Sequence, residues 1–145
     1  MKKFELTSES IVNIFGKKLF RIKALIEFGN VKEGELGGFV EKEENLSHDG
    51  NAWVYENAKV YGDAEVYGDA RVCGDADYAT VKGFGTEYRT TTFFKCKDGI
   101  ARVKCGCFYG DLEEFRNQVK NTRKGKIAEE YLMIADLMEK HFKEG

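Results

Sequence analysis

A six-residue repeat occupies the middle of the chain, where residues 58–76 read AKVYGDAEVYGDARVCGDA. A helix has a period of 3.6 residues and a strand a period of two, so six fits neither a single helix nor an ordinary hairpin. In a strand, Val60 and Ala64 point to one side, and Tyr61 and Glu65 to the other. In each Gly-Asp pair, glycine tolerates a positive φ and aspartate can cap its own turn, so the pair is typical of a corner between strands. The repeat therefore predicts short strands joined by corners, with valine and alanine facing inward.

Three columns of residues share this period and extend it upstream. Ala or Leu recurs at 46, 52, 58, 64, 70 and 76, Val at 54, 60, 66 and 72, and Asn or Asp at 45, 51, 57, 63, 69 and 75. This pattern predicts a solenoid wound as a triangular prism, in which three hexads close one coil of about eighteen residues. That period places Leu36 over Val54 and Val40 over Ala58. It gives about three coils, near 28–45, 46–63 and 64–81.

The columns resemble the hexapeptide repeat of left-handed β-helices, in which a branched aliphatic residue and a small residue fill the interior. The resemblance implies a left-handed winding, an exception to the usual right-handed crossover. It also implies three functional classes, which are acyltransferases, zinc enzymes of the γ-carbonic-anhydrase type and non-catalytic scaffolds.

The segments before and after the repeat both contain hairpin patterns. We expect these hairpins to cover the two ends of the solenoid, where unpaired strand edges would otherwise be exposed. Alternating residues around Gly16-Lys17 predict an N-terminal hairpin. Lys97-Asp98-Gly99 predicts a second hairpin, which pairs 88–96 with 100–108.

Two helices are predicted to follow. Asp111 lies three residues before Glu114, which is the spacing of a capping box, and apolar spacing predicts another helix over 126–142. We therefore expect a mainly β chain with C-terminal helices. Its regions are a hairpin cap over 1–27, a short left-handed parallel β-helix over 28–82, and a ββαα region over 83–145 docked on or beside the β-helix.

Two longer runs carry a resemblance that covers nearly the whole chain. LGGFVEKEENLS and GCFYGDLEEF, on either side of the repeat, resemble small proteins of bacteriophages and prophages. The resemblance implies a viral genetic setting inside a bacterial cell, and no catalytic residues follow from it.

Charge and composition limit which partners and which cellular compartment the sequence predicts. Residues 33–75 hold eleven acidic side chains against three basic ones, which argues against one continuous nucleic-acid surface. No apolar run reaches the length of a signal peptide or of a membrane span, so we expect a cytoplasmic protein. Its four cysteines are then expected as free thiols.

The number of histidines distinguishes the two enzyme classes that the repeat resembles. A γ-carbonic-anhydrase site needs three histidine ligands, and the chain has two histidines, His48 and His141. An acyltransferase needs one general base, so His48 keeps that alternative open. A corner position in LSHDGN is the competing explanation for His48.

Cysteines and tyrosines give two further candidate groups. One group is a weak alternative metal site made of Cys96, Cys105 and Cys107. It is weak because structural zinc normally takes four ligands. In the other interpretation, these cysteines are small buried residues on the inner face of a hairpin.

The second group is the tyrosines of the repeat, Tyr55, Tyr61 and Tyr67, which lie on successive faces of a prism. They are either anchors of an oligomer interface or exposed aromatic residues.

A cationic cluster is the remaining candidate. It combines residues at the end of the first predicted helix with two arginines of the second hairpin: Arg89, Arg102, Arg116, Lys120, Arg123 and Lys124. These side chains either stabilise a helix C-terminus or bind an anion.

Taken together, the sequence predicts a non-enzymatic, phage-type binding protein without cofactors. We expect a homo-oligomer, a dimer or trimer formed through the β-helix. Its expected ligand is a host bacterial protein or a small anionic ligand such as a nucleotide, and its expected role is inhibition of a bacterial defence system. The alternative is a reduced acyltransferase that uses His48.

Overall fold

The computed structural model describes residues 2–87 and 89–143. Residues 1, 88, 144 and 145, which belong to the predicted N-terminal and C-terminal regions, lie outside the described residues. The chain is mainly β with two C-terminal helices, as predicted. No described helix has both the length and the apolar content needed to cross a membrane.

An N-terminal hairpin opens the chain. Strands β1 (Phe4–Val12) and β2 (Lys18–Ala24) pair antiparallel, which confirms the first predicted hairpin. The Asn13 side chain accepts hydrogen bonds from the backbone N–H groups of Phe15 and Lys17 and so holds the turn.

Parallel pairing joins this hairpin to the repeat. β2 pairs antiparallel with β3 (Leu36–Val40). Two-residue strands follow, which are β4 (Trp53–Val54), β5 (Lys59–Val60) and β6 (Arg71–Val72). β3 pairs parallel with β5, and β4 pairs parallel with β6.

The register of these parallel pairs corrects one prediction. Val54 lies opposite Val72, eighteen residues on, but Val40 lies opposite Val60 and Leu46 opposite Val66, twenty residues on. The predicted placement of Val40 over Ala58 was therefore wrong by two residues. The cause is an extra pair of residues between Leu46 and Val54, so Leu46 takes a place in the valine column.

Burial confirms the inward columns. Val54, Val60, Val66 and Val72 are at most 1% exposed, and the alanines at 52, 58, 64 and 70 at most 3%. Ala76 is exposed, because a turn of 3-10 helix over Asp75–Asp77 ends the pattern.

Two glycines let β3 approach the repeat. A Cβ atom at Gly37 would lie 2.6 Å from the Val54 carbonyl oxygen, and one at Gly38 would lie 2.6 Å from that of Ala58. The Gly-Gly pair of LGGFV thus removes the side chains that would separate β3 from the repeat.

A second sheet follows the repeat. It contains β7 (Tyr78–Val81), β8 (Thr91–Lys95), β9 (Ala101–Cys105) and β10 (Phe108–Asp111), all antiparallel, in the order β10-β9-β8-β7. The pairing of β8 with β9 confirms the predicted hairpin, within shorter bounds.

Two parts of this sheet differ from expectation. Residues 78–81 were assigned to the third coil, but they pair antiparallel with β8. Residues 100–108 were expected as one strand, but Gly106 and Cys107 form a two-residue turn between β9 and β10. Glycine at the first position of such a turn, with φ of +59° here, is typical of a tight hairpin.

Two helices cover the second sheet. Helix α1 (Leu112–Thr122) begins with the predicted capping box, in which Asp111 accepts from the Glu114 backbone at 2.8 Å and Glu114 accepts from the Asp111 backbone at 3.0 Å. Helix α2 (Gly125–Phe142) buries the predicted apolar face. The helices and the second sheet share one core, while the repeat and the N-terminal hairpin share another.

Candidate functional site

A cavity of about 270 Å³ lies where the two helices meet the second sheet. We call it the helix pocket. It brings together two of the six predicted cations, Arg89 from the segment before β8 and Arg123 from the end of α1. The other residues of its lining are Phe84, Thr86, Glu87, Cys105, Cys107, Phe108, Phe115, Gln118, Val119, Thr122 and Tyr131.

Arg89 is held in place by its neighbours. Its guanidinium forms an ion pair with Glu87 and passes directly over Gly106. A Cβ atom at Gly106 would collide with the Nη1 atom of Arg89, so the glycine of the Cys-Gly-Cys turn gives this side chain room to reach the pocket.

Tyr131 supplies a second polar group. Its side chain comes from α2, the residue is 6% exposed, and burial raises the pKa of its hydroxyl. Arg123 and Arg89 are close enough to oppose that increase in pKa. Gly85 makes room for the hydroxyl, because a Cβ atom there would lie 2.5 Å from it.

Aromatic rings form the apolar wall of the helix pocket. The Phe115 ring lies edge-on to Tyr131, with centroids 5.8 Å apart, and 5.7 Å from Phe108. Edge-on and tilted contacts of this kind hold rings in fixed positions. One side of the helix pocket is therefore aromatic, and the other carries two guanidinium groups and a hydroxyl.

The other four predicted cations lie outside the helix pocket. Arg102 forms a two-bond ion pair with Asp98, at 3.0 and 2.9 Å. Arg116 binds Asp136 at 2.8 Å and Glu139 at 3.0 Å, which ties α1 to α2. Lys120 and Lys124 are exposed and contribute nothing to the lining. The predicted cationic cluster is thus divided, and three of its members, Arg89, Arg102 and Arg116, already have carboxylate partners.

The three cysteines are also separated. Cys96 is buried in the core of the repeat, whereas Cys105 and Cys107 line the helix pocket. Cys105 lies at the end of β9 and accepts a hydrogen bond from the Thr91 hydroxyl at 3.1 Å, and Cys107 lies in the turn. Among the residues that the structure describes, no group of three His, Cys, Asp or Glu side chains is arranged to hold a metal ion.

His48 has structural contacts on both ring nitrogens. Its Nδ1 accepts the backbone N–H of Lys3 at 3.0 Å, and its Nε2 faces the Glu43 carboxylate at 3.4 Å. The ring also stacks on Phe4, with centroids 4.3 Å apart. Because Nδ1 is an acceptor, the neutral ring carries its hydrogen on Nε2. His48 therefore joins the N-terminal hairpin to the repeat. Its Nδ1 already accepts a hydrogen bond, and its Nε2 is buried, with no hydrogen-bond partner among the described residues.

The three tyrosines of the repeat lie in different surroundings. Tyr67 packs within the chain, edge-on to Tyr109 with centroids 5.1 Å apart. Tyr55 lies under the Arg71 guanidinium, 5.1 Å from it, and Tyr61 is half-buried.

Sequence reasoning missed the part of the helix pocket that depends on tertiary structure. Tyr131 falls inside the helix predicted over 126–142, and Phe108 falls at the end of the strand predicted over 100–108, so neither was identified as a pocket residue. The available signal was the presence of two glycines in turns, Gly85 and Gly106, which make room for the Tyr131 hydroxyl and the Arg89 guanidinium in the folded chain.

No protein-family model matches the chain, and no curated protein is significantly similar to it in sequence.

Proposed function

We propose that this protein binds a small anionic ligand in the helix pocket without transforming it. The observation that carries the proposal is that Arg89, Arg123 and Tyr131 line one aromatic-walled cavity, with both arginines close to Tyr131. Guanidinium groups are the usual partners of phosphate and carboxylate because their planar donors match two oxygens at once.

The charge of the helix pocket supports an anion. Glu87 is the one carboxylate among the described lining residues, and it already pairs with Arg89. Two guanidinium groups against one carboxylate leave a net positive charge among the described residues of the lining, which attracts an anion.

The residues of the helix pocket favour binding over catalysis. The described lining contains no histidine, and its thiols have no adjacent general base. His48 lies in the other half of the molecule, where its Nδ1 accepts from Lys3 and its Nε2 is buried. No observation favours the acyltransferase alternative.

The repeat is proposed to be a short left-handed parallel β-helix of about three coils that carries the oligomer interface. Parallel pairs eighteen and twenty residues apart, with valine and alanine inside, support coils of about this length. The left hand follows from the resemblance to hexapeptide repeats alone. Tyr55 and Tyr61 remain the proposed anchors of a dimer or trimer. With the resemblance to phage proteins, the proposed setting is the bacterial cytoplasm, and the proposed role is inhibition of a host defence component through its ligand.

Thermal unfolding at constant ionic strength tests the binding site. Inorganic phosphate should raise the Tm of the wild type over that in chloride, because a ligand at 100 times its Kd stabilises the folded state by about 2.7 kcal/mol. R123Q should lose this shift, while K124Q, which alters the neighbouring exposed cation, should keep it. An equal shift in wild type and R123Q would mean that the anion binds elsewhere.

A further inference from the structure

We propose that the ligand of the helix pocket is a small aromatic compound with one anionic group, and that the Tyr131 hydroxyl donates a hydrogen bond to that group. This inference rests on the proposed function, because it names the ligand class of the same pocket and assigns a specificity-determining residue in it.

The position of Tyr131 is the first argument. Tyr131 is 6% exposed and lines the helix pocket, and its hydroxyl lies against Gly85 and close enough to Arg89 and Arg123 to interact with their charges. Gly85 keeps this hydroxyl uncovered, since any side chain there would press on it. A donor held in this way next to Arg89 and Arg123 completes a three-point anion site.

The aromatic wall is the second argument. Phe108, Phe115 and Tyr131 present rings whose mutual contacts, at 5.7 and 5.8 Å, fix the wall before any ligand arrives. Phe115 and Tyr131 are almost fully buried, so the accessible part of this wall is the half-buried Phe108, together with the half-buried Phe84 of the lining. A bare inorganic anion would occupy the polar side and leave these two rings exposed. A ligand ring would cover the wall and gain apolar burial together with aromatic contacts.

Size is the third argument. Sites for drug-sized molecules occupy about 300–1,000 Å³, and the helix pocket, at about 270 Å³, falls just below that range. It therefore suits one ring system with one anionic group.

Amide chemical-shift titrations at constant ionic strength and neutral pH test the proposal. The probes are phenyl phosphate, inorganic phosphate and phenol. Phenyl phosphate should shift the amides of residues 84–87 and 105–108 and bind at least ten times more tightly than either fragment. Y131F should weaken phenyl phosphate binding by roughly ten- to a hundred-fold, the loss expected for a hydrogen bond to a charged group. Y67F, which alters a half-buried tyrosine outside the helix pocket, should leave binding unchanged.

Each contrary result identifies what is wrong. Equal affinity for inorganic phosphate and phenyl phosphate would overturn the aromatic ligand class and leave the anion site standing. Unchanged phenyl phosphate affinity in Y131F would overturn the role of its hydroxyl. No shift in the helix pocket with any probe would overturn both this inference and the proposed function.

Discussion

The hydroxyl of Tyr109 lies directly against Gly68, where it would collide with any side chain. Tyr109 belongs to β10 of the second sheet, and Gly68 to a corner of the repeat. The Tyr109 ring also contacts Tyr67 of the repeat and stacks on Phe94 of β8, with centroids 5.1 and 6.3 Å away. Tyr109 is thus a direct link between the repeat and the sheet that carries the helix pocket.

This link gives the first prediction. G68A should destabilise the protein by about 1–3 kcal/mol more than G62A, because of overpacking against Tyr109. The comparison is matched, since both glycines lie at repeat corners with φ of +66° and +69°, and a Cβ atom at Gly62 would meet nothing within 4 Å. Denaturant unfolding of both variants measures the difference. Equal losses would show that the Tyr109 contact carries no energetic weight.

The close approach of β3 to the repeat gives the second prediction. G38A should cost about 1–3 kcal/mol or more, because the added methyl meets the rigid Ala58 carbonyl at 2.6 Å. G74A is the control, because Gly74 has an extended φ of −154° and open space around it. Its unfolding free energy should stay within about 0.5 kcal/mol of the wild type. A G38A variant as stable as G74A would contradict the packing described for β3.

Lys3 gives a prediction about pH. Its Nζ donates to the Ala52 carbonyl at 2.7 Å and lies 4.6 Å from the Phe28 ring, and the residue is 1% exposed. Burial lowers the pKa of Lys3 from 10.5 to about 8, and Asp49 only partly opposes that decrease. Below pH 8 the folded state holds a buried charge that the unfolded chain exposes to water. That cost is relieved as the pH rises from 8 towards 10.5.

The corresponding measurement compares the wild type with K3M. The unfolding free energy of the wild type minus that of K3M should rise with pH above 8, by up to about 1.4 kcal/mol per pH unit. Tyrosine and cysteine titrations occur in both proteins and cancel in the difference. A difference that is flat between pH 7 and 10 would contradict the buried ammonium.

The proposed oligomer gives a fourth prediction. A Y55S/Y61S double variant should shift the wild-type oligomer towards monomer in size exclusion with light scattering, because interface tyrosines contribute much of the binding energy. I14S is the control, since Ile14 is 93% exposed at the tip of the N-terminal hairpin, away from the repeat. Dissociation of I14S with retention of the double-variant oligomer would place the interface at the hairpin tip.

The repeat could be predicted from sequence because its information is local. A strict column of valines and alanines specifies what faces inward, and these side chains are buried. The register of β3 against β5 could not be predicted, because it depends on the step from Leu46 to Val54, which is eight residues long and not six. That step still contains Asp49 and Gly50, which are typical corner residues, so it resembles a normal hexad. The capping box of α1 is equally local and was predicted correctly.

The helix pocket could be predicted only in part. Charge counting found Arg89 and Arg123, but it grouped them with Arg102 and Arg116, whose partners Asp98 and Asp136 neutralise them. Each of these pairs depends on side-chain directions and helix packing that charge counting does not consider. The position of Tyr131 beside the two arginines depends on how α2 docks on the second sheet, which no short motif encodes.

Native mass spectrometry tests the central claim, that the helix pocket holds an anion, most directly. Wild-type protein incubated with excess phenyl phosphate should carry one added ligand mass per chain, in a defined dimer or trimer. An R89Q/R123Q double variant should keep the oligomer and lose the added mass. Equal ligand mass on both proteins, or none on the wild type, would contradict the account.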